Sequence, residues 1–128
     1  MPPPTRRLVL LPAALALSVA ARPRRAAAHA LVTEAEPAAG AALAEGPPAV
    51  RLRFNSRIDR ARSRLVLHGP DGGQTPLPLD SGNDPTLLSA RTDIVPWSPG
   101  AWRLRWQVLA LDGHITRGDV PFTLHPPR

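Results

Sequence analysis

The chain has 128 residues and a formal net charge of +6, and its sixteen basic residues are all arginine. It has no cysteine and one methionine, Met1, which excludes disulfides, thiol nucleophiles and sulfur-ligated metal sites beyond the start. Five arginines precede His29; from there eleven arginines face ten acids, so this part carries +1 and its charge balance does not point to nucleic acid.

Residues 1–28 read as a signal peptide. Arg6 and Arg7 form a charged start, and Leu8 to Ala21 is an apolar run of 14 residues, against about 20 for a membrane-spanning helix. Ala26 and Ala28 supply the −3 and −1 positions of an A-x-A cleavage site. The expected mature chain is therefore 29–128, beginning with His29 and a free amine. Arg22, Arg24 and Arg25 make the segment before the cut unusually basic. Ser18-Val19-Ala20 is a competing site upstream, and an uncut amphipathic anchor is the alternative. Thr5-Arg6-Arg7-Leu8-Val9-Leu10 has a twin-arginine character, which leaves both the Sec and twin-arginine routes open. The expected location is periplasmic or secreted.

Beyond Leu31, most of the seventeen prolines and nine glycines fall between short apolar alternations, where they mark turns and forbid long helices. Leu31 to Ala35 reads as a first strand, closed by Pro37-Ala38-Ala39-Gly40. Val50 to Phe54 alternates, with Val50, Leu52 and Phe54 inward and Arg51 and Arg53 outward. Ser63 to His68, Gln74 to Leu79 and Thr86 to Arg91 follow; Pro76 and Pro78 mark the second of these as an edge strand. Ala101 to Leu109 has the strongest pattern, with Trp102, Leu104, Trp106 and Val108 on one face. Asp119 to His125 closes the set with Val120, Phe122 and Leu124 inward. About 100 residues suffice for one core covering roughly 60–65% of the unfolded surface. The expected class is all-β: a seven-stranded immunoglobulin-like or cupredoxin-like sandwich with Greek-key connections. The tryptophans read as core rather than a stacking platform. Arg51, Arg53, Arg57, Arg60, Arg62 and Arg64 read as solvated faces rather than an anion site.

Four pieces stand in order: His29-Ala30-Leu31, Glu36-Pro37-Ala38-Ala39-Gly40, the strand ending at Phe54, and Trp102-Arg103-Leu104-Arg105-Trp106-Gln107-Val108 followed by Asp112-Gly113-His114 and Gly118. Their order and spacing resemble the CopC family of bacterial periplasmic copper-binding proteins, whose mature chains begin with histidine and whose last two strands flank an Asp-x-His-x-x-x-Gly loop. The resemblance covers residues 29–128. It implies a Cu(II) site, one ion per chain, formed by the amine and imidazole of His29 with Asp112 and His114. Imidazole, amine and carboxylate suit Cu(II), and a histidine at position one presents its amine and ring nitrogen to the same ion. Taken alone, Asp112-Gly113-His114 reads as an ordinary turn, and the pairing with His29 favours metal. His68 and His125 read as surface residues.

The chain also departs from the resemblance. The methionines of a second, Cu(I) site are missing, and Ser56 stands where some members carry an acid near copper. The sequence after Leu124 holds no apolar segment, so fusion to a membrane copper module is not expected. The implied role is sequestration of copper or delivery to a membrane importer of the CopD type, without catalysis. The alternatives are a histidine-brace copper oxidoreductase and a metal-free interaction domain.

Overall fold

The computed structural model describes residues 1–5 and 30–126. The alternation of apolar and polar residues sets where this chain is extended, and every regular element among the described residues is a strand. They are β1 (Val32–Glu36), β2 (Ala41–Leu43), β3 (Ala49–Phe54), β4 (Ile58–His68), β5 (Gln74–Leu77), β6 (Leu87–Arg91), β7 (Gly100–Ala110) and β8 (Ile115–Leu124). No helix among these residues is long and apolar enough to cross a membrane.

The strands form two sheets, β1-β3-β6 and β2-β8-β7-β4-β5. All pairings are antiparallel except β2 with β8. The buried rows face each other between the sheets. Val50, Leu52, Phe54, Leu88 and Ala90 come from the first; Leu65, Leu67, Trp102, Leu104, Trp106, Val108, Val120, Phe122 and Leu124 come from the second. Each large side chain in these rows contributes about 1.5–3 kcal/mol by leaving water. Both phenylalanines and two of the three tryptophans are in this core, as their alternation requires. The third, Trp97, lies in the β6–β7 connection with its ring centroid 4.6 Å from that of Trp102.

Eight strands stand where seven are expected. The additional one, β2, pairs Ala41, Ala42 and Leu43 with Phe122, Thr123 and Leu124 and covers the free edge of β8. Its three residues carry no apolar alternation, and its partner is some eighty positions away, so no local pattern announces it. β4 starts five residues before Ser63, because its pairing with β7 shifts register between Asp59 and Arg64. A bulge of this kind breaks the period of two that sequence reading relies on. β8 likewise begins at Ile115 rather than Asp119, which shortens the loop before it to a tight turn. β5 is an edge strand, with Pro76 opposite Val66.

Candidate metal centre

β7 and β8 form a hairpin running from Gly100 opposite Leu124 to Leu109 opposite Ile115. The turn that closes it holds Asp112, Gly113 and His114. Gly113 donates its N–H to Ala110 O at 2.9 Å and has φ of 86°, a conformation that glycine adopts without cost. Ala110 donates to His114 O at 2.9 Å. One carboxylate oxygen of Asp112 accepts from the His114 N–H at 3.0 Å, and the other lies 3.0 Å from His114 Nδ1. The aspartate thus shapes the turn with one oxygen and orients the imidazole with the other. Turn residue and candidate ligand are the same side chain, so the two readings of this motif do not compete. The Asp112 side chain is 27% exposed and that of His114 64%, which leaves the pair reachable from solvent.

His29 lies outside the described residues, and its approach is traced from Ala30 onward. Ala30 is fully buried in the core cluster. Leu31 donates its N–H to Asn55 Oδ1 at 2.8 Å and accepts from the Asn55 N–H at 2.9 Å. Asn55 follows the last residue of β3, and Ile58, three positions on, pairs with Ala110 at the end of β7. The chain therefore enters β1 at the same end of the sandwich as the Asp112–His114 turn. Asn55, which fastens this entry, carried no sequence signal beyond being a polar residue after a strand. Among the described residues no three of His, Asp and Glu gather into one group, so Asp112 and His114 stand there as a pair.

Two further positions shape this end. Trp106 packs edge-on to Phe54, with centroids 5.3 Å apart, and faces Gly118 on β8. A Cβ at Gly118 would come within 2.4 Å of the Trp106 ring, so the final glycine of the Asp-x-His-x-x-x-Gly run is needed to seat the indole. The Ser56 hydroxyl is buried with no hydrogen-bond partner among the described residues.

The remaining histidines are at the far end. His68 is opposite Arg103, its Nδ1 3.5 Å from that guanidinium, and His125 follows Leu124, opposite Gly100. Seven residues of strand separate Arg103 from Ala110, roughly 24 Å at about 3.4 Å per residue. Neither histidine can join Asp112 and His114. The arginine-rich stretch from 51 to 64 is partly tied into the scaffold. Arg53 reaches Glu34 and Asp84, and Arg60 donates to the carbonyls of Gly82, Asp84 and Leu87.

The class defined here is a two-sheet immunoglobulin-like sandwich carrying a carboxylate–imidazole pair on a hairpin turn beside the chain's entry. Residues 32–125 match the CopC domain, and the chain belongs to the CopC family. It is 30% identical over 107 residues to Protein YobA of Escherichia coli K12, covering 76% of this chain and 79% of that one, and Protein YobA of Shigella flexneri matches to the same extent. The crystal structure of CopC from Methylosinus trichosporium OB3b superposes with a TM-score of 0.67 at 27% identity, covering 78% of this chain and 97% of that one. PcoC of Escherichia coli, described as a methionine-rich copper resistance protein, shares the fold with a TM-score of 0.58 at 23% identity, covering 75% and 98%. Methionine richness is not shared, since Met1 is the only methionine here.

Proposed function

We propose that this protein is an exported copper-binding protein that holds one Cu(II) ion per chain through His29, Asp112 and His114. The observation that carries the reading is the Asp112–His114 contact on a turn at the end of the sandwich where the chain enters from His29. Family membership and the copper resistance role named for PcoC support the choice of metal. The donor chemistry agrees: nitrogen and carboxylate oxygen suit Cu(II), which heads the divalent affinity order. His29, once its amine is freed by cleavage after Ala28, supplies amine and imidazole together. The role is sequestration in the periplasm or outside the cell, or delivery to a membrane importer of the CopD type. We assign binding rather than catalysis, because a carboxylate on the ion occupies a position that oxygen chemistry would need.

The ligands must lose protons to bind, so metal binding releases protons and affinity falls as pH is lowered. Isothermal titration with Cu(II), on exported protein whose intact mass places the N-terminus at His29, is expected to give one ion per chain with Kd below about 1 µM. Asp112→Asn and His114→Ala are each expected to weaken binding by about tenfold or more. Binding weaker than micromolar, or unchanged in both variants, would sink the assignment.

A further inference from the structure

The outer faces of the two sheets differ in charge. On β1, β3 and β6 the arginines are matched. Arg53 meets Glu34 and Asp84, Arg51 is opposite Glu36, and Arg91 lies 4.0 Å from Asp93. Three arginines there face four carboxylates. The five-stranded sheet is the reverse. Alternation puts Arg62 and Arg64 of β4, Arg103 and Arg105 of β7, and Arg117 of β8 on its outer side, opposite the buried row. Its carboxylates are Asp59, 3.8 Å from Arg62, and Asp119, 3.6 Å from Arg103. The surplus on this face is three positive charges, while the whole chain from His29 carries only +1. Like charges on neighbouring strands cost stability, and an apposed layer of anions would relieve that cost.

The same face ends in exposed apolar residues. Leu109 and Ile115 are a cross-strand pair beside the hairpin turn, and Leu111 follows in the turn itself. Leu111 is 65% exposed and Ile115 55%. An arginine field that ends in an apolar tip, on one sheet face, matches a bilayer in which phosphates lie beside acyl chains. An acidic protein segment would complement the arginines but not the apolar tip.

We propose that the outer face of the five-stranded sheet docks on a membrane surface rich in anionic phospholipid, with Leu111 and Ile115 entering the headgroup layer. The docking residues are not themselves among the proposed copper ligands, although Leu111 and Ile115 flank them. Docked so, the Asp112–His114 turn would lie against the bilayer.

The test is co-sedimentation of the exported protein with vesicles of phosphatidylcholine alone or with about one-third phosphatidylglycerol, at low salt and at about 0.5 M NaCl, where charges are screened within a few ångströms. Binding is expected only to the anionic vesicles and only at low salt. The double variant R64Q/R105Q should bind about 25-fold more weakly, since each arginine near an anionic surface is worth about fivefold. L111S/I115S should also bind more weakly, and R91Q, on the opposite sheet, should bind as the parent does. Thermal unfolding of each variant separates lost docking from lost folding, and the salt dependence of the parent reads the same face without any substitution. Equal binding to both kinds of vesicle, absence of binding to the anionic ones, or full binding by a folded R64Q/R105Q would overturn the proposal. A protein ligand for this face would give the second of these results.

Discussion

Asp84 is held by three hydrogen bonds from two residues. It accepts the Thr86 N–H at 2.9 Å, the Thr86 hydroxyl at 2.7 Å and Arg53 Nη1 at 2.9 Å. The two Thr86 bonds, then the arginine, hold its carboxyl down at about 2. Because the folded value lies below the unfolded one of about 3.9, its contribution to stability is fully present above that value. It is lost as pH falls from there through about 2. Asp84→Asn is therefore expected to lower stability at neutral pH and to flatten the dependence between roughly pH 4 and 2, read by denaturant unfolding at several pH values. An unchanged slope in the variant would mean that another carboxylate dominates. The aspartate also explains why the arginine-rich stretch is not an anion site as a whole. Arg53 spends its charge on Asp84 and Glu34, and Arg60 turns its guanidinium to the carbonyls of the loop from 82 to 87. None of that pairing is visible in a row of arginines, because the partners lie nineteen or more residues away.

At the scale of elements, what could be read from the chain was the set of strands whose side chains alternate. Val50, Leu52 and Phe54 are buried as their spacing required, and so are Trp102, Leu104, Trp106 and Val108. What could not be read was pairing between distant segments: β2 against β8, the bulge in β4, and the division into sheets of three and five. The β7–β8 hairpin lies between these cases. Its strands and turn residues were legible, but the reason for Gly118 became clear only when Trp106 was found lying against it. Gly118→Ala places a methyl group in a space held by the Trp106 indole, which is itself buried and packed edge-on to Phe54. Overpacking of this kind costs about 1–3 kcal/mol. At about 4–8 °C per kcal/mol for a domain of this size, the expected fall in Tm is at least about 4 °C, accompanied by a change in the tryptophan near-ultraviolet circular dichroism. An unchanged Tm would mean that the hairpin yields more readily than its ten-pair register suggests.

At the scale of the whole molecule, the proposed site depends on two ends of the chain meeting. Asp112 and His114 were legible as a turn motif, and the structure adds the contact between them. Their relation to the start of the domain was legible only through resemblance, since Asn55, which ties Leu31 to the β3–β4 connection, carried no sequence signal. That tie sharpens the last prediction. Ala30 is buried and Leu31 is fastened by two hydrogen bonds, so the chain cannot slide to compensate for a residue added or removed in front of it. A histidine at position one offers an amine and an imidazole, whereas the same histidine behind one extra residue offers the imidazole and an amide. Protein extended by a single glycine before His29 is therefore expected to lose one nitrogen ligand and to bind Cu(II) more weakly by about a hundredfold, or roughly 3 kcal/mol. The sandwich should unfold at the same temperature without metal, because no described strand is touched. Titration with Cu(II) and metal-free thermal unfolding, run side by side, separate the site from the scaffold. Unchanged affinity in the extended protein would place the copper ligands elsewhere. Weaker binding with an unchanged Tm would support a site that is complete only when the chain begins at His29.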